Sequence, residues 1–152
     1  MEDQFKMMQT HKKVHLTEYL PHLLLEHPEC EIHVGCDSQN FNKKTTYATT
    51  VVVRYPGKGA HVLYRREKQP QVKDLWSRLW GEIERSLSVA QFIEADCGLK
   101  VHQIDLDFNE DPEYPSNKVL KAAVGYVHSM GFNSKAKPHL LMATWAANSL
   151  CH

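Results

Sequence analysis

The chain has 152 residues, 42% hydrophobic and 24% charged, with eighteen Lys/Arg balanced by eighteen Asp/Glu. That size and mixture fit one globular domain and argue against a disordered chain or a generic polycation that grips nucleic acid by charge alone. No apolar run approaches the ~18 residues of a membrane-spanning helix, so no membrane partner is expected. The opening MEDQFKMMQTHKK lacks the apolar stretch of a secretory signal, and Cys30, Cys36, Cys97 and Cys151 show no CxxC spacing. A cytoplasmic setting without disulfides or zinc is the expectation.

Residues 1–13 are polar and expected to fray, leaving 14–152 as a single domain. A short extra helix should follow Thr17 as its N-cap, carry Leu20, Leu23 and Leu24 on one side, and close at Pro28. EIHVGCD (Glu31–Asp37) reads as a buried first strand, and TTYATTVVVRY (Thr45–Tyr55), dense in β-branched and aromatic residues, as a second. A Pro56–Gly59 turn leads to a third strand over Ala60–Arg66, completing an antiparallel hairpin. From Gln71 to about Ile93 apolar residues recur at three and four, the period of a helix lying on a sheet, with Trp76 and Trp80 read as core.

LKVHQIDLDF (Leu99–Phe108) is a fourth strand whose alternation sets Gln103, Asp105 and Asp107 on one face and Ile104, Leu106 and Phe108 on the other. Ser116 caps a helix that runs to about Met130 and stops at Gly131. Phe132–Lys137 can form a fifth strand and Leu140–Cys151 a last helix. The order β-β-β-α-β-α-β-α is that of an α/β fold with a mixed, helix-covered sheet.

Charge balances in total but not along the chain. Residues 54–73 hold six Lys/Arg against Glu67, a net of +5, and residues 94–113 hold seven acids against Lys100, a net of −6. Such blocks are either ordinary solvated surface or places where a polyanion and a cation bind.

Asp37 stands at the end of the first strand, at the rim where α/β sheets place ligands, or it simply turns the chain. Asp105 and Asp107 share a strand face about 6–7 Å apart, which suits a cation between them or two exposed acids at a strand end. If the first and fourth strands are neighbours, Asp37 and Asp107 meet at one rim. The intervening helix then brings Glu82 toward the sheet and turns Glu84 to water. Three carboxylates from two strands and a helix make a hard-cation site for Mg²⁺ or Mn²⁺, of the kind that hydrolyses phosphodiesters.

The segments IHVGCDSQ, TTYATTVVVRY, RLWGEIERSLSVA, DFNEDPEYPSNKVLKAAVGYVHSMGF and KPHLLMATWAANSL resemble the ribonuclease H-like superfamily, and within it a family of small bacterial YkuK-like proteins. The resemblance spans about residues 14–151. It implies a five-stranded mixed sheet in the order 3-2-1-4-5, with strand 2 antiparallel, and a divalent-metal nuclease acting on RNA, an RNA–DNA hybrid or structured DNA. It assigns the catalytic acids to Asp37, Glu82 and Asp107; Asp105, an extra acid beside Asp107, is expected as a further metal ligand that compensates for a weaker one in the last helix. Where the family usually has an acid in the last helix this chain has Asn148, an attenuated ligand, and no acid follows Glu113. Ser38, Gln39, Asn109, Ser116, Asn117 and Lys137 are the candidate substrate contacts. A catalytically impaired nucleic-acid-binding module and a structural or interaction domain are the rival readings.

Overall fold

The computed structural model describes residues 3–109, 113, 117–137 and 150–151, with the side chains of Asn109 and Lys137 outside that description. Its elements in chain order are β1 (Gln4–Met7), β2 (Lys13–His15), α1 (Leu16–Glu26), β3 (Glu31–Phe41), β4 (Lys44–Tyr55), β5 (Gly59–Pro70), α2 (Leu75–Asp96), β6 (Gln103–Asn109), α3 (Asn117–Ser129) and β7 (Ser134–Lys137). The expected last helix, residues 140–151, lies almost wholly outside the described residues. Among the described residues, no helix is long and apolar enough to cross a membrane.

The seven strands form one sheet in the order β2-β1-β5-β4-β3-β6-β7. β3, β4 and β5 pair antiparallel, while β3–β6 and β6–β7 are parallel. The sheet is thus mixed, as the pattern requires, but it has seven strands rather than five: β5-β4-β3-β6-β7 keep the expected relative order and two further strands extend the β5 edge. The additional strands are β1, inside the segment expected to fray, and β2, which starts at its last residue. Phe5 and Val14 face each other across this hairpin and are both buried, and β1 adds to the edge of β5 through Lys6–Tyr64 and Met7–Leu63.

The same hairpin corrects the start of α1. The N-cap position is His15, with no side-chain cap bond of its own, and Thr17 lies inside the helix. Asp3 supplies the missing acceptors: its Oδ1 takes the Thr17 N–H at 2.8 Å, its Oδ2 takes the Thr17 hydroxyl at 3.0 Å, and its carbonyl takes the Leu16 N–H at 2.8 Å. A carboxylate at a helix N-terminus also complements the helix dipole.

β4 is buried on both faces over most of its length, which its unbroken run of Thr, Tyr and Val anticipates for a central strand. Ile32, Val34, Val51, Val53 and Leu63 form the sheet side of the core, and Leu79, Ile83, Leu87, Ala90 and Ile93 of α2 the helix side. Trp76, by contrast, is not core: it is half exposed and meets Trp80 at a tilt of 54°, and Trp80 in turn meets Tyr126 of α3 edge-on. α3 ends in a Schellman motif, with Phe132 N–H on the Val127 carbonyl, Gly131 N–H on that of His128, and Gly131 at φ 90°. Phe132 is buried in the core cluster.

Two histidines tie the fold to pH. His102 Nδ1 accepts the Ile32 N–H at 3.0 Å, and His61 Nε2 lies 2.8 Å from the Tyr19 hydroxyl. Burial, the leading cause for both, pulls each imidazole below its ordinary 6.5. An unfolded histidine therefore takes a proton near pH 6.5 that the folded one refuses. Their contribution to stability is complete above that pH and declines as pH falls toward the lowered folded values. Between pH 7.5 and pH 5.5 His102→Gln should lose less stability than the wild type, read as the smaller change in its urea midpoint.

Candidate functional site

β3 does not end at Asp37. It continues to Phe41, paired with β4 throughout, so Asp37 sits opposite Ala48 within the ladder. Its pairing with β6 is shorter. His33–Gln103, Val34–Ile104 and Gly35–Asp105 are in register, and there the parallel ladder stops although both strands go on. Two residues further along each strand stand Asp37, which alternation places on the face of Gly35, and Asp107, which falls within a register shift of β6 between Leu106 and Asn109. An opening between parallel strands at their carboxyl ends is where open α/β sheets bind ligands.

Glu82 reaches this opening from α2. It is 4% exposed, while Glu84 is exposed to solvent. The Ser38 hydroxyl donates to Glu82 Oε2 at 2.5 Å, and the Ser38 N–H donates to Asp37 Oδ1 at 2.8 Å, so one serine holds both carboxylates. Ser38 is itself buried. Its hydroxyl and its backbone N–H are both engaged by those two acids. Burial drives the Glu82 carboxyl well above its ordinary value; the charge of Asp37 adds to that, the Ser38 hydrogen bond opposes it, and Asp107 adds further.

Asp105 is buried, and the Gln103 amide donates to its Oδ1 at 2.6 Å. A tight crevice, too narrow to admit a water molecule, is lined by Glu82, Ser86, Asp105 and Asp107 together with Cys36 and apolar neighbours. Cys151 also approaches: its thiol is pushed up to about 12, first by burial and then by the charges of Asp37 and Glu82. No spacing in the sequence pointed to that cysteine.

Among the other candidates, Gln39 is half-buried beside the acids, and Asn117 begins α3. Asn148, Ser116 and the side chains of Asn109 and Lys137 lie outside the described residues.

Asp37, Glu82, Asp105 and Asp107 offer carboxylate oxygens, the donors a hard cation such as Mg²⁺ or Mn²⁺ prefers, beside the thiols of Cys36 and Cys151. Among the described residues, however, no group of three or more His, Cys, Asp or Glu side chains is drawn close enough to hold a metal ion.

Basic residues flank the acids. The β-ladder sets Arg66 beside Ala48 and Lys68 beside Thr46, on the face of Asp37 and Gln39. A second groove of about 480 Å³ continues from Arg66 and Lys68 to Lys6 and Lys13 of the β1–β2 hairpin.

A mixed sheet with acids where two parallel strands part and cations alongside defines a class of α/β domain suited to polyanion chemistry. A family model described as Ribonuclease H-like matches residues 17–152, and the chain belongs to that family. The match is consistent with the resemblance to YkuK-like proteins and ties the domain to nucleic-acid function. It begins after β1 and β2, so the hairpin that widens the sheet precedes the matched region. No curated protein and no solved structure matches the chain.

Proposed function

We propose that this domain is a divalent-metal-dependent nuclease that hydrolyses phosphodiester bonds in RNA, an RNA–DNA hybrid or structured DNA. The observation that carries the reading is the buried carboxylate of Glu82, raised in pKa and burdened further by Asp37 and Asp107. Like charges gathered from two strands and a helix are costly to keep together without a cation. Asp37, Glu82 and Asp107 would hold Mg²⁺ or Mn²⁺, with Asp105 beside them and Asn148 as a weaker amide ligand. When bound, such an ion supplies positive charge to the phosphate and acidifies water.

The protein's own contributions are distinct. Ser38 fixes the orientation of Glu82 and Asp37 through two hydrogen bonds. Burial of Glu82 strengthens every electrostatic interaction at the crevice. Arg66 and Lys68 bind the phosphate backbone on the same face and orient it toward Asp37.

A second reading, a nucleic-acid-binding module with impaired catalysis, is favoured by the lack of any acid after Glu113 and the lack of a closed three-donor group among the described residues. Titration with Mn²⁺ under thermal denaturation, paired with cleavage of labelled RNA, hybrid and DNA, separates them. The nuclease should gain about 5–10 °C at a hundredfold excess over Kd and cut at least one substrate. Nucleic-acid binding without cutting would select the impaired module, and no shift with neither binding nor cutting would end both readings.

A further inference from the structure

An exposed aromatic ring lies on the acid-bearing face, away from the crevice. Alternation along β3 puts Asp37, Gln39 and Phe41 on one side, and the ladder sets Ala48, Thr46 and Lys44 next to them, then Arg66, Lys68 and Pro70. Phe41 is 77% exposed. It stands at the tip of the β3–β4 hairpin, where Asn42 (φ 49°) and Lys43 (φ 60°) both adopt the left-handed region, as a tight two-residue turn matched to strand twist requires. Full pairing from Glu31–Arg54 to Phe41–Lys44 stiffens the arm that carries the ring.

A groove of about 620 Å³ runs beside it, lined by Gln39, Asn40, Phe41, Lys44, Arg66 and Lys68. Among the described residues, Lys43, Lys44, Arg66 and Lys68 enter no ion pair. A ring held in water amid cations and side-chain amides matches a ligand with flat faces, polar edges and regularly spaced negative charge.

We propose that this groove binds a single-stranded segment of nucleic acid, with one base stacked on Phe41 and phosphates held by Lys44, Lys68 and Arg66. A duplex shows only base edges in its grooves, so stacking on Phe41 selects unpaired nucleotides. Asp37 and Phe41 are four residues apart, roughly 13 Å along the strand. That corresponds to roughly two to four nucleotides at 3.4 Å or more each. The placement of the stacked base relative to a cleaved bond rests on the nuclease reading; the stacking itself does not.

The test uses the whole chain in EDTA with a single strand containing 2-aminopurine, read by anisotropy and by quenching of the probe. The wild type should bind and quench. Phe41→Ala should weaken binding about tenfold or more and lose the quench, whereas Phe41→Tyr keeps both. Lys44→Glu with Lys68→Glu should weaken binding and flatten its salt dependence. A blunt duplex of the same sequence should bind less tightly. Unchanged affinity and quenching in Phe41→Ala, or a duplex bound as tightly as the single strand, would overturn the proposal. Phe41-dependent binding without any cleavage in Mg²⁺ or Mn²⁺ would support it while ending the nuclease reading; cleavage with Phe41-independent binding would do the reverse.

Discussion

Glu82→Gln should raise the melting temperature of the metal-free protein and at the same time remove cation-dependent cleavage. Both effects come from one cause. Burial, then the charge of Asp37, lifts the Glu82 carboxyl well above its ordinary 4.5. Between the unfolded and folded values the native chain keeps a proton that the unfolded chain releases, so stability falls as pH rises through that window. Above it the fold carries the full cost of the buried charge. The amide removes that charge while its oxygen can still accept the Ser38 hydroxyl. Each kcal/mol recovered is worth about 2–4 °C at this chain length. Cleavage should drop by about 10²–10³-fold, the size of several kcal/mol of lost transition-state stabilisation. Thermal scans with EDTA and with Mn²⁺, beside single-turnover cleavage, check both halves. A lower melting temperature in EDTA would mean that the Glu82 charge does not burden the fold, and the electrostatic basis for the cation site would be lost.

The parts of this molecule legible in sequence are those whose signal is local. The three-and-four spacing from Leu79 to Ile93 comes from the helix burying one stripe, and α2 buries it, while Leu75 at its start stays exposed. The β-branched run of β4 reads as a central strand because both of its faces are apolar. The α2 phase angle likewise turned Glu82 inward and Glu84 outward.

What escaped is what distant contacts decide. β1 and β2 contribute only Phe5 and Val14 to the buried side, too little for a strand signal, and β1 is held by the β5 edge. Thr17 is a good local cap, yet the hairpin delivers Asp3 to the same helix end. The tail Ser38-Gln39-Asn40 reads as loop because polar residues dominate it, and Asn42-Lys43 lacks the glycine that usually announces a tight hairpin. Hence both the far half of β3 and the exposed position of Phe41 followed only from pairing with β4. Ser38 had a visible place beside Asp37, but its bond to Glu82 joins residues 44 apart in the chain.

Gly81→Ala should destabilise the fold by about 1–2 kcal/mol, although alanine is the better helix former. The helix preference alone favours the substitution by up to about 1 kcal/mol. Against it stands the sheet: a Cβ at Gly81 would lie 2.5 Å from the Tyr47 hydroxyl oxygen and 2.9 Å from the ring carbon that bears it. Tyr47 has little room to retreat. It is 2% exposed, its hydroxyl lies 3.4 Å from the Arg78 carbonyl, and the Arg85 guanidinium covers its ring at 3.7 Å. Arg85 is in turn fixed by Glu67 at 2.7 Å and Gln69 at 3.0 Å on β5. Overpacking of this kind costs about 1–3 kcal/mol, which outweighs the gain in propensity. The strain relaxes most readily by lifting α2 off the sheet, and the next residue along the helix is Glu82. Cleavage should therefore fall further than the loss of stability explains, because the Ser38–Glu82 bond lengthens. Tyr47→Phe in the Gly81→Ala background removes the clashing oxygen and should restore part of both. Urea denaturation of the four proteins gives the coupling energy directly; additive effects would show that this close approach is not what seats α2 against the sheet.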